Sequence, residues 1–373
     1  MLTQQTLHIV HRSPKRYGVN GKLSAAAHRK YFHPIPPLLL LIYLRPAMIP
    51  NHVEAQTLFG IVIDAGTGRP LPLVQVYLAG TTLGDVSDSL GMYKIENIPP
   101  GHYTLVASHI GYQPVQQHVR ILQNLEQTLF LQPRVIDLPE VQIEGLRDPE
   151  WRERLREFES AFLGAAGREH CRLLNPQVLR LERRGDRLFA YTNQPLEIEN
   201  AFLGYRVSVI IKSFEHYGDR TAYQVLPFFQ ALKTDQKSRE TFWQENRRRA
   251  YYGSYRHFFH ALFSDALEAA GFVVERVDDR RPFSTPLERI SSAAAKGKIY
   301  SDTEYLLFKK IHFRDYLRIR PLNNYAQTSY LELPVDTLIV DWQGNSLSEP
   351  EIIRSGFWGE QRFAEELPWD YLP

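Results

Sequence analysis

The sequence predicts a mainly β protein with an α+β part, built from more than one domain. At 373 residues the chain is longer than one ordinary hydrophobic core organises. Its 24 Pro and 22 Gly are typical of turns between short strands. Runs with alternating apolar residues recur between such turns, which favours a Greek-key sandwich followed by a larger β-rich α+β domain. We predict a leader over 1–56, the sandwich over 57–133, a linker over 134–148 and the second domain over 149–373.

The leader has the parts of a signal peptide. It holds 7 of the 44 Lys and Arg but only 1 of the 42 Asp and Glu, and an apolar run over 37–44 follows its basic start. A small residue allows a cut after Ala55 or Gln56. The alternative is a basic tail that stays on the chain, because Arg45 interrupts the apolar run. That run is too short for a transmembrane helix. We predict an exported protein, periplasmic or associated with the outer membrane, with no transmembrane span in the mature chain.

The charge balance argues against a nucleic-acid partner. After the leader, 37 basic and 41 acidic residues remain, whereas nucleic-acid binding requires a basic face. Cys171 is the single cysteine, so it has no intrachain disulfide partner. We predict that its thiol is buried and inert.

Short strands and tight turns account for residues 57–133. Alternation predicts strands near 58–64, 74–78, 92–96 and 103–109, with one or two more over 115–131. The turns between them are rich in Gly and Pro, and an aspartate at position 88 suits an Asx turn. The turn positions that we single out are Asp88, Gly91 and Gly101.

The same residues resemble the carboxypeptidase-regulatory-like module, also described as the carboxypeptidase D regulatory or transthyretin-like domain. The resemblance is carried by segments 60–71, 74–78, 87–93 and 99–105, and by Gly111-Tyr112. It implies a small transthyretin-like sandwich, an exported protein and a non-catalytic accessory role. It also implies that the three turn positions are structural.

Helical and strand patterns alternate in the second domain. Asp148-Pro149 is a helix start, apolar residues follow at three- and four-residue steps from Trp151 to Phe162, and Gly164 ends the helix. Arg183-Arg-Gly-Asp186 predicts a hairpin turn. Further strands are expected at 196–199, 205–211, 221–226, 305–320 and 336–342, and a helix over 240–270 broken near Gly253.

Residues 149–373 are similar to a domain of bacterial envelope proteins that carry the same N-terminal module. This resemblance implies architecture and no activity. The segments that carry it are 162–164, 175–176, 195–200, 203–205, Trp243 with Asn246-Arg247, 250–254, 257–258 and 355–359, with the tail that begins at Leu367-Pro368.

Aromatic and basic residues recur every four positions on the predicted helix. One interpretation is an exposed surface for a glycan, a peptide or an acidic partner. The other is that the rings pack inward while arginines pair with glutamates, for example Arg249 with Glu245. His257 and His260 would likewise belong to a helix packed on the core. The candidate binding residues are Trp243, Arg247, Tyr251, Tyr255, Arg256 and His257.

No catalytic signature is evident. Zinc peptidase sites use His-x-x-Glu, which is absent, and neither His216 with Asp219 nor His312 with Asp315 replaces it convincingly. We predict no metal and no cofactor. The predicted function is a non-catalytic envelope protein that binds or assembles an envelope protein, a peptide or a glycan. The alternative is a hydrolase of glycans or peptides that uses Glu197 and Glu199, which share a strand face.

Overall fold

A computed structural model describes the backbone of residues 7–12 and the residues of 55–134, 148–277, 288–346 and 352–373. It confirms the mainly β fold with an α+β part. Leu7–Arg12 forms strand β1, which lies in the large sheet of the second domain and not in the first domain. None of the helices in these ranges is long and apolar enough to cross a membrane.

The first domain is a sandwich of two four-stranded sheets. Alternation along its strands turns Leu58, Val62, Val76, Leu105 and Leu129 toward a shared core, where all are buried. One sheet has the order β5-β2-β8, with β9 also pairing β2, and the other has the order β4-β3-β6-β7. The strands are β2 Gln56–Asp64, β3 Gln75–Leu78, β4 Gly84–Val86, β5 Met92–Ile98, β6 Gly101–Ser108, β7 Val115–Ile121, β8 Leu125–Glu126 and β9 Leu129–Leu131.

Helix α1, Pro149–Leu163, begins and ends where the sequence predicts. The Asp148 side chain accepts a hydrogen bond from the Glu150 amide at 3.0 Å, and Gly164 ends the helix at a φ of 82°. Phe158 and Phe162 are fully buried, with ring centroids 5.1 Å apart. A short helix, α2 Ala165–His170, follows.

A 12-stranded sheet is the framework of the second domain. Its longest pair is β14 with β15, and the hairpin of β11 with β12 confirms the predicted turn. The order is β10-β13-β14-β15-β1-β23-β21-β20-β16-β17, with β11 and β12 attached through β14. Its strands after β1 are β10 Cys171–Leu173, β11 Leu179–Arg184, β12 Arg187–Thr192, β13 Leu196–Asn200, β14 Tyr205–Tyr217, β15 Arg220–Ala231, β16 Phe272–Val277, β17 Glu288–Ile290, β20 Tyr316–Pro321, β21 Ser329–Glu332 and β23 Ile353–Gly356.

A three-stranded sheet and four helices complete this domain. The sheet is β18-β19-β22, formed by Tyr300–Asp302, Phe308–Ile311 and Leu338–Asp341. The remaining α-helices of the described residues are α3 Lys237–Tyr251, α4 Tyr255–Phe263, α5 Ser292–Lys298 and α6 Phe357–Glu360.

The break near Gly253 is confirmed, but the predicted helical end is wrong. Gly253 has a φ of 82° between α3 and α4, a backbone conformation that favours glycine. The helical stretch was expected to run to residue 270, yet α4 ends at Phe263. Asp265 adopts a φ of 51°, which directs the chain into a turn before β16.

Candidate functional site

Trp243 and Arg247 attach α3 to the loop before β14. The Trp243 indole donates to the Ala201 carbonyl at 3.0 Å. The Arg247 guanidinium donates to the Leu203 and Gly204 carbonyls at 2.7 and 2.8 Å and lies 4.0 Å above the Tyr205 ring. Both side chains therefore donate hydrogen bonds to main-chain carbonyls of the protein.

Tyr251, His257 and His260 form an aromatic cluster between α3 and α4. The Tyr251 hydroxyl lies 2.5 Å from His260 Nδ1, and the Gly253 amide donates to His257 Nδ1 at 3.1 Å. The His260 ring stacks on Trp342 with centroids 4.7 Å apart. Burial lowers the pKa of His257 to about 4 and that of His260 to about 3, so both imidazoles are neutral near pH 7.

Arg256 holds the C-terminal tail, which we define as residues 366–371. Its guanidinium donates to the Leu367 carbonyl at 2.8 Å and to the Pro368 carbonyl. Burial lowers the pKa of Arg256 to about 10, which leaves it charged at pH 7. This half-buried charge is thus compensated by main-chain dipoles and by acids around the tail.

Two carboxyl groups have raised pKa values in this region: half-buried Glu366 in the tail and buried Asp341 at the end of β22. Burial raises the pKa of Glu366 to about 7, although Arg354 opposes the shift, and Glu366 accepts from the Tyr223 hydroxyl at 3.1 Å. Burial also raises the pKa of Asp341 to about 6. Asp341 Oδ1 accepts from the Gln343 and Asn345 amides at 2.9 and 2.8 Å, so this carboxyl shapes the turn after β22.

Of the six candidate binding residues, Trp243, Tyr251 and His257 are buried and do not belong to an exposed surface, whereas Arg247, Tyr255 and Arg256 are half-buried. That these residues bind a ligand stays a prediction. Trp243 packs against the loop before β14, whereas Tyr251 and His257 pack against each other where α3 meets α4. Tyr255 donates from its hydroxyl to the Gly344 carbonyl at 2.8 Å, and its ring packs on Phe259 and Trp358. The inward-packing interpretation applies to the rings, while Arg247 and Arg256 bind carbonyls instead of glutamates. The expected pair of Arg249 with Glu245 is present at 3.9 Å.

The three turn positions have structural surroundings. Asp88 Oδ1 accepts from the Leu90 and Met92 amides at 2.8 and 2.9 Å. Gly91 has a φ of 73°, and a Cβ there would lie 2.7 Å from the Val62 carbonyl oxygen. Gly101 begins β6 beside the Tyr103 ring, 3.2 Å from the position of a Cβ.

The acidic pair of the hydrolase hypothesis lies on β13 and contacts side chains of the neighbouring strands β10 and β14. Glu197 accepts from the Ser208 hydroxyl at 2.5 Å, and Glu199 lies 3.5 Å from Arg172 and 3.9 Å from Arg206. These contacts are those of a partly exposed strand face.

The histidine pairs and the cysteine also occupy structural positions. His216 Nδ1 lies 2.9 Å from the Thr221 hydroxyl, and Asp315 pairs with Arg276 at 3.7 Å. In the described parts of the chain, no group of three or more His, Cys, Asp or Glu could hold a metal. Cys171 is half-buried, and burial raises its thiol pKa to about 12, which suppresses its reactivity.

The sequence patterns did not reveal the seam between the two domains. The Gly80 amide donates to the Pro227 carbonyl at 2.7 Å, and the Trp369 amide donates to the Gly80 carbonyl at 2.7 Å. Tyr77 donates to the Leu226 carbonyl at 3.2 Å, and its ring lies 5.0 Å from that of Phe228. A single glycine and a few apolar residues carry no signal that identifies their partners more than 140 positions away.

A cleft of about 310 Å³ opens at this seam. Its walls are the 113–116 segment of the first domain and strands β12, β14 and β15 of the second. Arg134 and Lys212 contribute positive charge and Asn193 contributes polar atoms, so a small polar or acidic group suits the cleft. Polar and charged residues that line the cleft are Gln113, Gln116, Arg134, Thr192, Asn193 and Lys212.

The comparison with protein families identifies the first domain. Residues 58–143 match the model of the CarboxypepD_reg-like domain. The first domain is a CarboxypepD_reg-like domain. The match includes the predicted sandwich and extends to residues 135–143, which lie outside the described residues. No curated protein matches the chain.

Solved structures are similar to about a fifth of the chain. A type II cohesin–X-dockerin complex from Acetivibrio cellulolyticus is 20% identical, with a TM-score of 0.19, over 20% of this chain and 56% of that chain. The 5-hydroxyisourate hydrolase of Klebsiella pneumoniae is 19% identical, with a TM-score of 0.19, over 21% of this chain and 92% of its own. The pilin BcpA of Bacillus cereus is 15% identical, with a TM-score of 0.19, over 22% of this chain and 31% of that chain. We draw no functional inference from these similarities.

Proposed function

We propose that the protein is exported and serves a non-catalytic binding or assembly role in the bacterial envelope. The CarboxypepD_reg-like domain is the observation that carries this proposal, because such a module is an accessory of the domain beside it. Here it is attached to the second domain by main-chain hydrogen bonds and by the shared apolar group of Tyr77, Val106, Ile210, Leu226 and Phe228. A rigid two-domain scaffold is consistent with presenting a surface to a partner.

The position of the predicted cut supports export. A cut after Ala55 leaves Gln56, the first residue of β2, at the start of the mature chain. The first domain would therefore keep all of β2 and its seam with the second domain. The basic start and the apolar run both lie upstream of that cut.

The placement of titratable residues supports a non-catalytic role. His257 and His260 are buried and neutral, Arg256 is bound to tail carbonyls, and Glu197 and Glu199 contact their neighbours on the sheet. A general acid or base must reach a substrate. These contacts favour binding over hydrolysis.

Fractionation of a native-like host, followed by intact mass and N-terminal sequencing, tests export. We expect a mature start at Gln56 or Thr57 in the periplasmic or membrane fraction. An intact Met1 in the cytoplasmic fraction would contradict the proposal. The non-catalytic role is tested separately: hydrolysis of a peptide or glycan probe that is lost in a second-domain point variant would overturn it.

A further inference from the structure

Strand β1 is inserted in the middle of the large sheet. It runs antiparallel to β15, with Leu7 opposite Val225 and His11 opposite Thr221, and parallel to β23, with His11 opposite Arg354. In the described sheet, β1 is the link between the β10–β15 side and the β23–β17 side. Strand β1 and the residues between it and the predicted cut belong to the predicted leader.

The same edge of β15 is shared by two occupants. The CarboxypepD_reg-like domain covers one end, where Phe229 donates to the Thr81 carbonyl at 3.0 Å and Gly80 donates to Pro227. Strand β1 covers the other end, from Val225 to Thr221. A mature chain that begins near Gln56 keeps the first occupant and loses the second.

Loss of β1 leaves a slot of defined size, bounded by β15 over 221–225 and by β23 over 354–355. Backbone N–H and C=O groups on both sides would lose their ladder partners, and a sheet edge of this kind readily accepts another strand. Thr221, Tyr223 and Val225 are buried and point to the same face, which joins the apolar core around Phe162.

We propose that this slot is a strand-acceptor site for an extended segment of a partner polypeptide, occupied in cis by Leu7–Arg12 until the leader is removed. The inference rests on the proposed export. The partner strand would run antiparallel to β15 and form main-chain bonds with it, as in recognition by β-augmentation. Apolar residues are required at its first and third positions, because these are the register positions opposite Val225 and Tyr223.

The register of β1 itself meets this requirement. Leu7 and Ile9 occupy the first and third positions of the five that pair with β15. Leu7–Arg12 is therefore a suitable probe for the slot. The partner's chemistry is an extended peptide with the same alternation.

The test uses the full chain with a specific protease site introduced between residues 13 and 54, cut after folding. We expect the N-terminal fragment to remain bound on size exclusion and a labelled peptide of residues 6–13 to exchange into its place. Two variant peptides each carry one proline, Ile9→Pro or Val10→Pro, and so each lacks one backbone N–H group. Because successive N–H groups of a strand point to opposite neighbours, at least one of the two peptides should lose binding. A peptide with Ile9→Leu, which keeps both the N–H and the apolar character, is the matched control.

Two results would overturn the proposal. One is release of the fragment with no binding of the unmodified peptide to the cut protein. The other is equal binding of all four peptides, which would mean that strand pairing does not hold them. N-terminal sequencing reports on export independently: an intact Met1 would contradict export, whereas peptide exchange would still measure the acceptor slot.

Discussion

At the scale of single residues, burial makes the region around the C-terminal tail sensitive to pH in two opposite ways. The folded-state pKa of Glu366, about 7, exceeds its ordinary value of 4.5, so the folded protein keeps a proton that the unfolded chain loses. Its contribution to stability is complete below pH 4.5 and is lost as the pH rises toward 7. The histidine pKa values of about 4 and about 3 lie below 6.5, so their contribution is lost as the pH falls below 6.5.

Substitution of Glu366 separates its contribution to the pH dependence of stability from that of the two histidines. Glu366→Gln keeps an acceptor for the Tyr223 hydroxyl but cannot ionise. We compare the free energy of unfolding of the variant with that of wild type at each pH. The difference, variant minus wild type, should become more positive by roughly 2 kcal/mol from pH 5 to pH 8. Urea unfolding at the two pH values measures this change. Exposed Glu360→Gln is the control, and equal pH dependence of the two variants would contradict the assigned role of burial.

At the scale of elements, the cap of α1 is both predictable and testable. Asp148 satisfies the Glu150 amide and lies 3.5 Å from Arg154. Asp148→Ala should reduce the free energy of unfolding by about 1 kcal/mol, since the first turn loses its acceptor. Asp148→Asn should retain most of the stability that the cap contributes. Asp186→Ala, in an exposed turn, serves as a control. Equal losses in all three variants, measured by chemical denaturation, would argue against a capping role.

Elements whose determinants are local could be predicted from the sequence. The α1 boundaries follow from Asp148, Pro149 and Gly164, and the β11–β12 hairpin follows from its Gly185 turn. The first domain could be predicted because its alternation and turn residues are contained within one short segment. The end of α4 could not, because the positive φ of Asp265 is imposed by the tertiary path of the chain.

Contacts between distant segments escaped prediction for a different physical reason. The periodicity of α3 correctly places Trp243, Arg247 and Tyr251 on related faces, but periodicity does not distinguish a face that meets solvent from one that meets the tail. Strand β1 was missed because its short alternating run lies within the basic segment 1–56, and its partners are more than 200 residues away. Pairing at such separations depends on the completed sheet.

At the scale of the whole molecule, the edge of β15 is where the two domains and the N-terminal segment meet. Gly80 of the first domain donates to Pro227 on this edge, and Leu7 of β1 pairs with Val225. The C-terminal tail joins them through the Trp369 amide, which donates to the Gly80 carbonyl. The Asp370 carboxylate also accepts from the Thr82 amide at 2.8 Å and from its hydroxyl. The seam therefore joins three distant parts of the chain, which predicts that the two domains lose their structure together.

Gly80 tests this coupling because it has no room for a side chain. It has a φ of +81°, and a Cβ there would lie 2.6 Å from the Trp369 ring. Gly68, in the same domain, has a φ of +69° with nothing within 4 Å of a Cβ, so alanine there meets backbone strain alone. We expect Gly80→Ala to reduce the free energy of unfolding by about 1–3 kcal/mol more than Gly68→Ala, since the seam must shift to admit the methyl group. Denaturation followed by tryptophan fluorescence measures both. If the two substitutions cost the same, the first domain is not packed against Trp369 in solution.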